Sequence, residues 1–251
     1  MKVFLVLTSV LAIAAAKEVG PELPSTLKVC NQNDSKLDQC IKESIEGILP
    51  LMRQKHENLH LPSLDPFIYD KVTFDYKRTE LLGGTFTLRD VKTYGMSRGK
   101  VLRLKSNITD ETMSITADVY FPKFFATGDY TADMKLNAFK LESKGQYNVT
   151  MRDVSAKWNI KGKLEKIDGE DYMKLYKFDI IPDAKEMKVS VSGLFKDPAL
   201  NQVGNDFFNQ NWRIFYKEML PETRKQWEPI LLDIVNKFFA TYPYRQLLHK
   251  E

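Results

Sequence analysis

The chain has 251 residues, of which 43% are apolar, 28% charged and 12% aromatic. That is globular composition, and it excludes a disordered chain, a collagen-like repeat and a multi-spanning membrane protein. Thirty-seven Lys and Arg against 33 Asp and Glu give a net charge of +4; there is no run of five like charges, so the basic patch or tail of a nucleic-acid binder is missing.

Met1-Lys2 precede a short apolar run, Val3–Ala16, that ends in Ala14-Ala15-Ala16. A charge, a short apolar stretch and an A-x-A site make a secretory signal peptide, and the run is shorter than the roughly 20 residues that cross a bilayer. Residues 1–16 are therefore expected to be a leader, and 17–251 one secreted, extracellular domain without stable membrane insertion. Cys30 and Cys40 are the only cysteines. In an oxidising compartment this isolated pair reads as a disulfide worth about 2–3 kcal/mol, tying the N-terminal segment to the first helix. It offers too few ligands for zinc. Asn33-Asp-Ser35, Asn107-Ile-Thr109 and Asn148-Val-Thr150 are N-glycosylation acceptors in a secreted chain, with Asn33, inside the disulfide loop, the least favoured of the three.

Ile41, Ile45, Ile48, Leu49 and Met52 recur at helical spacing over residues 38–52, with Pro50 in the last turn. Leu61-Pro-Ser-Leu-Asp-Pro66 reads as an extended connector, because each proline pushes its predecessor out of the helical region. From Phe67 the period becomes two. Apolar residues alternate with polar ones at Val72/Phe74/Tyr76, Met113–Phe121, Tyr130–Leu136, Tyr147–Met151, Val154–Ile160, Tyr176–Ile180 and Met187–Val191. These are half-buried strands of one antiparallel system, with Gly83-Gly84, Gly128-Asp129 and Asp168-Gly169 as the turns between them. After Gly193 helical spacing returns, first at Phe208, Trp212, Phe215 and Met219, then at Trp227, Ile230, Leu231, Ile234, Val235, Phe238 and Phe239. Pro221 suits the first turn of the second helix, Pro229 should kink it, and Pro243 ends it. The class is α+β: a long C-terminal helix covers the apolar face of one sheet that curls round it and leaves an elongated apolar interior.

Two motifs spell chemistry without its context. His56-Glu-Asn-Leu-His60 matches the zinc-protease H-E-x-x-H, but Pro62 stops the helix that would face both histidines to a metal, and Glu80 is the one conceivable third ligand. Gly95-Met-Ser-Arg-Gly99 matches the hydrolase elbow, but strand follows where a helix is required, and His249 alone is left to complete a triad with Ser97. A secreted esterase or metallohydrolase using Ser97 or His56/His60 is thus the alternative to a binding protein. No cofactor or metal is expected. A third reading has the protein dock on a membrane or an unidentified receptor, its apolar interior merely structural.

Cys30-x9-Cys40, the helix Cys40-Ile-Lys-Glu-Ser-Ile45, the connector Leu61–Pro66 and Val91-Lys-Thr-Tyr-Gly-Met-Ser97 together resemble the insect takeout / juvenile hormone-binding protein family. Tyr120-Phe-Pro122, Gly128-Asp-Tyr130, Phe207-Phe-Asn-Gln-Asn-Trp212 and Asn236-Lys-Phe-Phe239 are similar to its later landmarks, in order, over nearly the whole chain. The resemblance implies a long helix wrapped by a highly curved antiparallel sheet, related to tubular lipid-binding folds. It also implies a hydrophobic tunnel for a terpenoid, fatty acid or juvenile-hormone-like lipid. The single cysteine pair is more takeout-like than hormone-carrier-like. A fifteen-carbon ligand would gain on the order of 12 kcal/mol gross from leaving water, partly offset by its lost freedom. Tyr130 is the expected polar anchor, with Trp158, Phe178, Ile180, Phe215, Ile234 and Phe238 as walls. Circadian output is among the processes linked to such proteins.

Overall fold

In the computed structural model, which describes residues 23–77, 82–136 and 139–250, two short strands tie the ends of the fold together: β1 (Cys30–Asn31) pairs in parallel with β8 (Leu248–His249). The expected leader and Glu80 lie outside the described residues. Helix α1 (Leu37–Leu51) follows the predicted spacing, and Pro50 sits inside its last turn. Six longer strands come next: β2 (Phe67–Lys77), β3 (Leu82–Tyr94), β4 (Lys100–Ile108), β5 (Thr112–Leu136), β6 (Phe139–Ile167) and β7 (Glu170–Val191). They form one antiparallel sheet in the order β2-β3-β5-β6-β7. β4 shares β5 with β3: β4 takes the first half of β5 and β3 the second.

The alternation places strands correctly, but the sheet has fewer and longer strands than the turn signals suggest. Gly83-Gly84 and Gly128-Asp129, expected as turns, lie inside β3 and β5. Gly84 takes φ +143, and a Cβ there would collide with the Asp133 carbonyl; a Cβ on Gly128 would meet the Arg89 carbonyl. These glycines admit close approach of a neighbouring strand rather than reverse the chain. Asp168-Gly169 is a true hairpin turn, with φ 49 and 84.

Three strands change parity at one level. Inward positions run to Phe121 and resume at Phe124 in β5, run from Met151 to Val154 in β6, and from Ala184 to Met187 in β7. The pairings Phe121↔Val154 and Val154↔Ala184 bring the three steps side by side. Asp153 takes φ 48 there. Each strand carries one extra residue at this level, so the sheet bends without losing register. A second irregularity, at Lys161/Gly162, turns Leu175 inward and leaves Tyr176 57% exposed. That corrects the expectation that Tyr176 joins the apolar face.

Helix α2 (Pro198–Gln210) opens with Asp197 as N-cap, its carboxylate accepting from the Leu200 N–H, and Pro198 at its first position. Helix α3 (Trp212–Thr241) then runs unbroken through Pro221 and Pro229, where the sequence suggests a new start. The bonds those prolines remove are offset by anchors to β7 on both sides. Tyr216 donates to the Pro182 carbonyl (2.8 Å), Arg224 forks onto Asp179, and Asn236 pairs with Leu175. The short α4 (Tyr244–Leu247) leads into β8.

The sheet is not closed into a barrel. β2 and β7 are its ends in pairing order, and α3 lies along β7 yet also reaches β2, where Trp227 packs on Phe67 and Tyr69 with ring centroids 6.4 and 5.8 Å away. The sheet therefore rolls far enough for one helix to touch both of its edges. Its inner face carries the main core, with Val119, Val154, Ala156, Trp158, Leu175 and Phe178 packed against Ile41 and Ile45 of α1 and Leu231 and Val235 of α3.

Candidate ligand site on the inner face of the sheet

Register alone builds the apolar face. Trp158 lies opposite Ala117 on β5 and Ile180 on β7, while Ile160 lies between Ile115 and Phe178. The small Ala117 of β5 faces the large Trp158 of β6, and Trp158 meets Phe178 edge-on at 5.5 Å. Trp158, Phe178 and Ile180 are therefore brought together, as the sequence suggests. Ile234 and Phe238 belong to an adjoining cluster with Met52, Leu59, Leu61 and Tyr242, and Phe239 touches both clusters. Phe215 stands apart at the α2–α3 corner, stacked on Phe208 at 4.6 Å and 10°.

Tyr130 lies at the other end of the face, 2% exposed, with its ring 5.8 Å from Phe86. Burial raises its phenol pKa, an effect partly offset by the neighbouring Ser143 hydroxyl, and its hydroxyl donates to the Ser192 carbonyl (3.0 Å). Polar groups buried without partners on this face include the Trp158 indole Nε1, the Tyr147 hydroxyl and the Ser143 hydroxyl. Sequence reasoning gave Tyr147 no role beyond its place in a strand, because nothing local marks a hydroxyl as unpaired.

The edges of the sheet are sealed by side chains that imitate a strand. Along β7, the Asn209 amide accepts from Val189 N–H and donates to Val189 C=O, both at 2.8 Å. Asn205 does the same for Val191 (2.7 and 2.8 Å), and Asn236 for Leu175 (2.8 and 2.9 Å). Four helical residues rise about 6 Å and two strand residues about 6.6 Å, so Asn205 and Asn209 match Val191 and Val189 step for step. At the β4 edge, carboxylates of α1 accept backbone amides: Asp38 from Ser106 (2.8 Å) and Glu46 from Val101 (2.9 Å). Burial works against the Asp38 charge, but the Ser106 hydroxyl and amide, with Lys105 beside them, hold its carboxyl below the usual range. The spacing Asn201-x3-Asn205-x3-Asn209 is visible in the sequence and was the available signal for this seal.

The enzyme-like motifs resolve into structural elements. Ser97 is 2% exposed, and both its hydroxyl and its amide donate to the Asp65 carboxylate, which also accepts from Gly95 N–H. A nucleophilic serine needs a base as acceptor in an open site; this one fastens the β3–β4 turn to the connector. His56 and His60 flank a single 3₁₀ turn rather than share a helical face, and His56 Nε2 lies 2.9 Å from the Leu51 carbonyl oxygen. Among the described residues no three His, Cys, Asp or Glu gather as metal ligands, and no helix is long and apolar enough to cross a membrane. Cys30 and Cys40 are disulfide-bonded, with Cα atoms 5.8 Å apart. Asn107 and Asn148 are exposed, as is Asn33, whose amide donates to the Lys250 carbonyl.

A rolled sheet with one helix in its seam and an apolar inner face is the architecture the sequence motifs implied, and the profile of the family "Haemolymph juvenile hormone binding protein (JHBP)" matches residues 5–249. The chain belongs to the JHBP family. The crystal structure of Epiphyas postvittana Takeout 1 shares the fold, with a TM-score of 0.71 at 19% identity over 89% of this chain and 100% of that one. A crystal structure of lipopolysaccharide binding protein is much more distant: TM-score 0.33, 10% identity, 67% of this chain and 32% of that one. No curated protein sequence matches the chain.

Proposed function

We propose that this protein is a secreted carrier that holds one small hydrophobic molecule (a terpenoid, a fatty acid or its ester, or a juvenile-hormone-like lipid) against the inner face of its sheet, without catalysis. Residues 1–16 act as the leader, 17–251 form the carrier domain, and glycans are carried on Asn107 and Asn148. Family membership supports the binding role. The observation that carries the reading is the inner face itself: it is apolar, α3 packs against its core through Leu231 and Val235, and it holds an indole N–H and a phenol hydroxyl without partners. Ligand pockets combine such apolar walls with a few placed polar groups.

The test is native mass spectrometry of the protein collected from secreting cells, followed by titration of the delipidated protein with N-phenyl-1-naphthylamine. Release of a small apolar molecule and saturable one-site binding of the probe are expected. A protein that carries nothing and binds neither the probe nor any of a panel of terpenoids, fatty acids and esters would overturn the reading.

A further inference from the structure

The chain leaving β7 lies across one end of the inner face. A Cβ on Gly145 would collide with the Ser192 carbonyl, and one on Gly193 with the Lys144 carbonyl. Tyr130, opposite Gly145 in the β5–β6 register, donates its hydroxyl to that same Ser192 carbonyl. Its proton is thus committed to holding the crossing in place. Tyr147 is the next inward hydroxyl along β6, on the side toward the main core. Its partner across β5 is Gly128, and its ring lies over that glycine. Its hydroxyl has no partner although the residue is only 6% exposed. Beyond it the face is apolar: Val149 pairs with Ala126 and Val189, and Met151 with Phe124 and Met187. Phenylalanine would fill the same space without stranding a hydroxyl.

We infer, building on the carrier reading, that Tyr147 is the polar anchor of the ligand and that it donates to an uncharged oxygen: an ester carbonyl, a ketone or an ether. The anchor offers one O–H and no cation. Burial alone pushes its phenol up to about 12, with no charged side chain contributing. An ionised carboxylate placed there would lose its hydration without a counter-charge. A neutral carbonyl needs only the single donor. The site therefore selects esters and ketones over free fatty acids of the same length.

Displacement of bound N-phenyl-1-naphthylamine by methyl palmitate, hexadecane and palmitate at pH 8 tests this. In the native protein methyl palmitate should displace the probe at lower concentration than palmitate. Tyr147→Phe should weaken methyl palmitate by roughly 5- to 30-fold, the equivalent of one hydrogen bond, and leave hexadecane unchanged. The melting temperature of the ligand-free variant should equal or exceed that of the native protein, because an unpaired hydroxyl has been removed. Palmitate binding as tightly as its ester, or an unchanged ester affinity in the variant, would overturn the inference while leaving the carrier reading intact. Failure of the probe to bind at all would instead strike the carrier reading.

Discussion

Single side chains hold the ends of this sheet, and their energetics can be separated. Asp65 gathers three donors from Gly95 and Ser97 onto one carboxylate. Asp65→Ala should cost about 1–3 kcal/mol, since it strands a buried hydroxyl and two amides; denaturant unfolding measures this directly, and a neutral result would show that the clip is idle. The buried phenols bear on alkaline stability. Burial raises Tyr147 to about 12, and burial with nearby Asp110 raises Tyr244 to about 12, while in the unfolded chain both ionise near an ordinary value of about 10. The unfolded state therefore loses its protons first. The stabilisation is complete below pH ~10 and disappears as pH rises through ~12. Melting temperature should fall across that window, and less steeply in the double variant Tyr147→Phe/Tyr244→Phe.

Whole elements are positioned by backbone mimicry. An exposed edge strand invites pairing with another chain, and β7 avoids it by pairing with the amides of α2 and α3. Asn209→Ala should cost about 1–3 kcal/mol by leaving the Val189 N–H and C=O unpaired. Hydrogen exchange should quicken at Val189 while Leu175, held by Asn236, stays protected; equal exchange at both positions would argue against separate contacts. The same anchors explain why α3 tolerates two interior prolines. Helix propensity alone would place a break at Pro221 or Pro229, but side chains reach the strand before, between and after them. Local patterning gave no hint of this, because two of these anchors meet backbone groups of β7 and the third, Arg224, meets an Asp179 carboxylate 45 residues away.

For the molecule as a whole, closure depends on joining distant parts of the chain. The disulfide links β1 to α1, β1 pairs with β8, and α3 spans from β7 to β2. Replacing both cysteines with serine should cost about 2–3 kcal/mol, a fall in melting temperature of roughly 5–10 °C. An unchanged melting temperature would place the linkage outside the cooperative unit.

Much of this protein was legible in its residues. Period-two alternation from Phe67 to Val191 defined the sheet and its apolar face, helical spacing after Gly193 defined the covering helices, and the ordered landmarks from Cys30 to Phe239 defined the family. Such local periodicities survive because side chains on a strand or helix point where the backbone sends them. Other features required the tertiary structure. Gly84 and Gly128 became strand residues because a neighbouring carbonyl approaches each of them. The Tyr130 proton was committed by a carbonyl 62 residues away, whereas the Tyr147 hydroxyl meets no partner. Which hydroxyl is satisfied is a question of non-local geometry, and no spacing along the chain encodes that.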